Sequence, residues 1–318
     1  MNNVYILGGL RSYIGICNGI YKHIPAEILG AQVLKKIVQK YELNTIDYII
    51  GGNGVGAGGN ITRLMALEAG MDNSIPAFTV DMQCCSGLAS ISVGADKIKA
   101  GNADLIIAGG FESSSTQPRR SYNPNHPDYK DDTYYSSAKF MPHIHRENIM
   151  LEGAELTAQK EHITKEEMDF WVLRSHKLAL EARINNYFKD ITVSINNSKK
   201  DDGIRPRMSQ KLLDKVPKIL PNGKFITAAN ACLINDGAAF VVLCSEKYLN
   251  EHHLKPMAKI INSCDCGVEP MLSPKGAIAS LNKILQKNNL KANDIDIFEI
   301  NEAFAVIDVL FARNFKNC

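Results

Sequence analysis

The sequence predicts an α/β protein made of two related halves with a loop domain inserted between them, and three observations predict it. Short apolar runs alternate with stretches of helical period, the pattern of strands and helices packed in layers. A segment near the start recurs near the end: Lys36-Ile37-Val38-Gln39-Lys40-Tyr41-Glu42-Leu43 matches Lys283-Ile284-Leu285-Gln286-Lys287-Asn288-Asn289-Leu290. Each copy is followed by Ile-Asp, at Ile46-Asp47 and Ile295-Asp296, and then by an apolar strand-like run. Two amphipathic helices can look alike by chance, but the shared order of helix, Ile-Asp and strand favours duplication. Between about Thr116 and Met150 the periodicity vanishes and Pro, Tyr, His and Asp dominate. The expected division is a first half over 1–115, an inserted loop domain over 116–224, and a second half over 225–318.

In chain order, Val4 to Leu7 reads as a buried strand. Pro25 opens a helix whose apolar face is Ile28, Leu29, Val33, Leu34, Ile37 and Val38. Ile46 to Ile50 is a strand running into glycines, and Phe78-Thr79-Val80 is a strand leading through Asp81-Met82-Gln83 to Cys84. The next helix places Leu88, Ile91, Ala95 and Ile98 on one face and stops at Gly101, a natural C′ residue. Leu105 to Ala108 is another buried strand. Thr164 and Glu167 form a capping box for a long helix containing Trp171, Leu173, Leu178 and Leu180. Residues 196–221 are polar and irregular, and Ala238 to Leu243 is again strand-like.

Composition excludes several classes. With 318 residues, 45% hydrophobic and 22% charged, the chain can bury a sizeable core without a metal or disulfide staple. A net charge of +2, with basic residues scattered, speaks against a nucleic-acid partner. The first residues lack a charged stretch followed by a long apolar run, and no segment has the roughly 18–20 apolar residues of a membrane span. A cytoplasmic protein with no membrane partner is expected, its eight cysteines reduced. Cys84-Cys85 and Cys264-Asp265-Cys266 are the close pairs, and neither has a second pair at zinc-like spacing. His143 and His145 alternate around Ile144 without a third ligand, so no metal is expected.

The constellation that carries chemistry is Cys84-Cys85-Ser86-Gly87-Leu88 at a strand-to-helix junction, followed by Ala108-Gly109-Gly110-Phe111-Glu112-Ser113. A thiol at a helix N-terminus meets the positive end of the macrodipole and unpaired N–H groups, which favour the nucleophilic thiolate. Ser86 and Gly87 keep the junction small enough for a substrate carbonyl to approach. Gly54-Val55-Gly56-Ala57-Gly58-Gly59 formally matches the dinucleotide-binding pattern, but neither the first strand nor the acidic residue about twenty positions onward is in place. Glu166-Glu167 reads as an acidic first helical turn.

These motifs together resemble the thiolase family. Cys84 falls at the first position of its Cys-x-Ser-Gly-Leu motif, with Cys85 where a small residue is usual. Arg11-Ser12-Tyr13-Ile14-Gly15 is similar to its Arg-Thr-Pro-x-Gly loop. Asn230-Ala231-Cys232-Leu233-Ile234-Asn235-Asp236-Gly237-Ala238-Ala239 is similar to Asn-Ala-Ser-Gly-x-Asn-Asp-Gly-Ala-Ala. Asn301-Glu302-Ala303-Phe304 reproduces its Asn-Glu-Ala-Phe motif. The resemblance covers the whole chain and implies a duplicated α/β/α/β/α layered fold with its second half incomplete. It implies an acyltransferase in which Cys84 is the nucleophile, and Asn301 holds a water of the oxyanion hole. Arg205 would contact the nucleotide end of coenzyme A and Cys232 would lie by its pantetheine arm. Coenzyme A and acyl-CoA would be substrates with no permanently bound cofactor, and a homo-oligomer, dimer or tetramer, would be the assembly. The reaction would be 3-ketoacyl-CoA thiolysis or acetyl-CoA condensation.

Departures from the family pattern sharpen the alternative. Cys232 replaces the serine and Leu233 the glycine of Asn-Ala-Ser-Gly, and Ile149 stands where some short-chain members have a histidine. The family continues past Asn-Glu-Ala-Phe into Gly-His-Pro and Cys-x-Gly-Gly segments, and neither occurs up to Cys318. A catalytically impaired homologue that only binds coenzyme A or pairs with another subunit is therefore the second expectation, with little multiple turnover and low stability alone.

Overall fold

The computed structural model describes residues 2–135, 139 and 141–315. In chain order the elements are β1 (Val4–Ser12), β2 (Gly15–Ile16), α1 (Ala26–Lys40), β3 (Tyr48–Gly52), α2 (Ile61–Glu68), β4 (Ala77–Val80), α3 (Ser86–Lys99) and β5 (Leu105–Ser113). They continue with α4 (Ile149–Lys160), α5 (Lys165–Ile184), β6 (Thr192–Val193), α6 (Gln210–Leu213), β7 (Asn235–Ser245), α7 (Glu246–Glu251), β8 (Ala258–Ile260), α8 (Gly276–Lys287) and α9 (Ala305–Asn314). The contacts divide into two units. One comprises the chain up to Pro118 with Asn185–Gly203 and Leu233–Ile261, the other Arg119–Ile184, Ile204–Cys232 and the chain from Asn262.

The first unit is a mixed sheet in the order β4-β3-β5-β7-β1-β6, with β2 beside β7 and β8 beside β1. β3 runs parallel to both β4 and β5, with Ile50 level with Phe78 on one side and Ala108 on the other. β7 is antiparallel to β5 and β1 and joins them. Period-2 alternation supplies two cores. Ile49, Leu105, Ile107, Val242 and Leu10 face Leu29, Val33, Leu34 and Ile37 of α1 and Met65 of α2. Ile50, Ile106, Ala108, Leu243 and Val4 face Ala95 and Ile98 of α3. Pro25 begins α1 with its pre-set φ of −57°, and Gly101 follows α3 with a left-handed φ of +78°.

One face departs from expectation. Leu88 is 69% exposed, and α3 instead buries Ser86, Ala89, Ser90, Gly94, Ala95 and Ile98. The physical reason is close approach: a Cβ on Gly94 would lie 2.9 Å from Leu243, so only small residues fit that contact.

The second unit is helical. Ala154 and Ala158 of α4, Met168 and Val172 of α5, Ile278 of α8 and Val306, Val309 and Leu310 of α9 form its core. The capping box is present: Glu167 accepts from the Thr164 N–H at 2.9 Å, and its own N–H donates to the Thr164 hydroxyl. Arg313 near the end of α9 meets the same Glu167 carboxylate at 2.7 Å. The repeat helix at Lys283 lies in α8, as expected. The strand expected after Ile295-Asp296 does not form, and Ile297 is 82% exposed. Among the described residues no strand pairs with this run, so its backbone has no ladder to join.

Candidate active site

Cys84 sits at the end of a tight turn that carries the chain from β4 into α3. Gln83, just before it, has a positive φ of 51°, a conformation that side chains with a Cβ rarely adopt. The turn is over-determined by its neighbours. The Gln83 N–H donates to the Asp81 carboxylate at 2.9 Å, and the buried Ser86 hydroxyl donates to the Gln83 carbonyl at 2.6 Å. The same Ser86 oxygen accepts from the Met82 N–H at 2.8 Å. Cys84 and Cys85 both remain exposed. Strain held by surrounding structure is a common mark of a functional turn.

Backbone packing positions this junction. A Cβ at Gly52 of β3 would fall 2.3 Å from the Ser86 carbonyl carbon, and one at Gly110 of β5 would fall 3.2 Å from the Gly87 Cα. Glycine in the sheet therefore lets the first turn of α3 rest directly on β3 and β5. The Ser90 hydroxyl, one turn on, lies 2.7 Å from the Gly109 carbonyl oxygen. The two N–H groups that follow Cys84 are committed to the turn: Cys85 N–H donates to the Met82 carbonyl and Ser86 N–H to the Gln83 carbonyl. They close the turn rather than point at a ligand.

The glycine-rich loop after β3 is accounted for in the same way. Glu112 of β5 accepts from the N–H groups of Gly54 at 2.9 Å and Val55 at 3.0 Å, and from the Asn53 amide at 2.9 Å. A carboxylate of the chain itself thus occupies the position a dinucleotide phosphate would need. Arg11 is likewise structural: it makes paired bonds to Asp201 at 2.8 and 2.9 Å while stacking over Phe188.

The other three candidate residues lie in the second unit. Asn301 and Cys232 are exposed and close in the chain path, because the Cys232 N–H donates to the Ala303 carbonyl at 2.9 Å and Ala231 bridges Phe304. Arg205 is exposed, and its N–H donates to the His176 Nδ1 of α5 at 3.3 Å. Burial chiefly, with the Arg205 charge, pulls the His176 pKa below its ordinary value, while Glu302 opposes the shift. The Ser175 hydroxyl donates to Glu302 at 2.5 Å. Asp308, buried in the first turn of α9, is pushed up to about 7, first by burial and then by the Glu302 charge; its own backbone and Arg174 pull the other way. Sequence reasoning missed Gln83, Ser175, His176 and Asp308, and gave Glu112 no role. An aspartate inside the apolar run Ala305 to Leu310 is the one signal that could have marked a special group. Among the described residues no cluster of ligands suits a metal, and no helix is long and apolar enough to cross a membrane.

A strained turn presenting an exposed thiol at the start of a helix, in an α/β sheet protein, is an arrangement from which a cysteine nucleophile could act. The comparisons narrow it. Residues 4–247 match the family model described as thiolase, N-terminal domain, and residues 254–317 match thiolase, C-terminal domain. The chain belongs to the thiolase family. It is 31% identical over 335 aligned positions to a Staphylococcus aureus protein named "Probable acetyl-CoA acyltransferase", covering 99% of this chain and 84% of that one. The solved structure of the Bacillus anthracis acetyl-CoA acetyltransferase superposes with a TM-score of 0.91 at 29% identity, over 100% of this chain and 84% of that one. Human mitochondrial 3-ketoacyl-CoA thiolase in complex with CoA superposes with a TM-score of 0.90 at 26% identity, over 100% and 83%.

Proposed function

We propose that this chain is a thiolase-type acyltransferase in which Cys84 carries the acyl group between coenzyme A thioesters. The observation that carries the reading is Cys84 itself, exposed directly after the left-handed Gln83 and at the entry to α3. In thiolysis the Cys84 sulfur attacks the ketone carbonyl of a 3-ketoacyl-CoA. The carbon–carbon bond breaks, acetyl-CoA leaves with a proton at its new methyl group, and the acyl group stays on sulfur as a thioester. A second coenzyme A thiol then takes the acyl group and returns a proton to Cys84. The reverse sequence condenses two acetyl-CoA molecules. Preorganised donors at the developing oxyanion contribute most where water is excluded. By resemblance to the family, Asn301 is assigned to hold a water of the oxyanion hole.

Arg205 is assigned to the nucleotide end of coenzyme A, where an exposed guanidinium suits phosphate or adenine. Cys232 is assigned to the pantetheine side, as a weak polar contact in place of a hydroxyl. We place the protein in the cytoplasm, in fatty acid metabolism, as a homo-oligomer. Support for assembly comes from β4, the last strand of the sheet, with exposed Leu64 and Leu67 on α2 and Leu88 on α3 flanking it. The central test is adduct mapping. Incubation with acetyl-CoA, or with iodoacetamide, followed by peptide mass spectrometry is expected to place the adduct on Cys84. Modification chiefly at Cys85 or Cys232 would overturn the assignment.

A further inference from the structure

Two adjacent residues of α5 reach the two segments that carry the second unit's candidate residues. The Ser175 hydroxyl donates to the Glu302 carboxylate at 2.5 Å, next to Asn301 in the chain. The His176 Nδ1 accepts the backbone N–H of Arg205 at 3.3 Å. Neither partner segment lies in regular structure: 299–303 and 204–208 belong to no helix or strand. Ser175 and His176 are both half-buried on a twenty-residue helix whose capping box and core contacts make it a firm base.

We infer that Ser175 and His176 are a pair of positioning residues: Ser175 sets the Asn301-Glu302 segment and His176 sets the Arg205 segment, each from one rigid helix. This rests on the acyltransferase reading above. Neither side chain need touch substrate. A hydroxyl-to-carboxylate bond is charge-assisted and short, and it adds a side-chain anchor to a segment otherwise held only through the backbone at Ala303 and Phe304. The histidine contact has a stricter requirement. Only neutral imidazole offers Nδ1 as an acceptor; protonation turns that nitrogen into a donor facing another N–H. The groups acting on the ring are Arg205, which disfavours its charge, and Glu302, which favours it. Burial and Arg205 prevail, so the acceptor form persists below the ordinary histidine range.

The division of labour predicts separable defects. In the full chain, His176→Leu is expected to weaken coenzyme A binding by calorimetry at least fivefold while leaving the single-turnover rate of Cys84 acylation at saturating acetyl-CoA within twofold. His176→Asn keeps an acceptor oxygen near the Nδ1 position and is expected to restore affinity. It should also abolish the fall in affinity expected of the unaltered protein once pH drops below the ordinary histidine range. Ser175→Ala is expected to slow acylation at least fivefold with coenzyme A affinity unchanged, and Ser175→Thr to restore it. Hydrogen exchange read by mass spectrometry gives a ligand-free measure: faster exchange at 204–208 in His176→Leu alone, and at 299–304 in Ser175→Ala alone. Equal losses of binding and acylation in both variants, or no rescue by Asn and Thr, would overturn the positioning assignment and leave a purely structural role. Variants indistinguishable from the unaltered protein would overturn it too. If the unaltered chain neither binds coenzyme A nor accepts an acyl group, the acyltransferase reading falls and this inference falls with it, whatever the exchange data show.

Discussion

At the residue scale the unusual group is Asp308, an acid buried beside Glu302 near the start of α9 and pushed from 3.8 up to about 7. A raised pKa means the folded state holds its proton more tightly than the unfolded chain. Stability from this group is therefore full below about pH 4, declines as pH rises, and is lost above about 7. Asp308→Asn is expected to stabilise the protein at neutral and alkaline pH. Denaturant unfolding should show that gain growing by roughly 2–3 kcal/mol between pH 5 and pH 8. Arg205→Ala is expected to weaken coenzyme A binding about ten- to a hundredfold, the size of a lost charge-assisted contact of about 1.5–3 kcal/mol, with little change in acylation at saturation. Isothermal calorimetry checks the first part and single-turnover labelling the second. Residues of this kind differ in how far the sequence announces them. The strand-to-helix junction that holds Cys84 was legible because its short motif lies between an apolar run and a helical period. Ser175 and His176 were not, since their value comes from contacts with residues 127 and 29 positions away.

At the level of elements, the β4–α3 junction shows how sheet glycines set a helix. Gly52→Ala would drive a methyl group into the backbone of Ser86, and neither β3 nor α3 can yield without breaking ladder or helix bonds. Overpacking of this kind costs about 1–3 kcal/mol. The expected outcome is a lower unfolding midpoint together with slower Cys84 alkylation, because the first turn of α3 must move. Unfolding and iodoacetamide kinetics measured on one preparation test both. The strands and helices around this junction could be read from apolar runs and period, and the capping box at Thr164 and Glu167 was visible as written. Leu88 misled the helix-face assignment because hydropathy ranks leucine as core, whereas the observed contact is made by Ser90, Gly94 and Ala95. Period identifies a helix; which stripe faces inward depends on how closely the neighbouring backbone approaches.

For the whole molecule, the order of segments along the chain concealed that β7, after more than a hundred intervening residues, completes the sheet between β5 and β1. Hydropathy marks β7 as a strand but carries no record of its partners. The repeat was legible as paired helices, α1 and α8, while the strand after α8 depends on neighbours that a single sequence does not specify. The edge strand β4 bears on assembly. Light scattering on purified protein is expected to return at least twice the chain mass, and Leu64→Lys combined with Leu88→Lys to shift it to the monomer. A mass of one chain for the unaltered protein would remove the assembly assignment. The loop after β3 carries a different consequence. Its backbone donors are met by Glu112, an anion joined covalently to its own receptor. A tethered partner acts at an effective concentration in the millimolar range or above. Competing phosphates must overcome that advantage and a repelling charge, so this loop should keep one shape whatever the nucleotide or salt content of its surroundings.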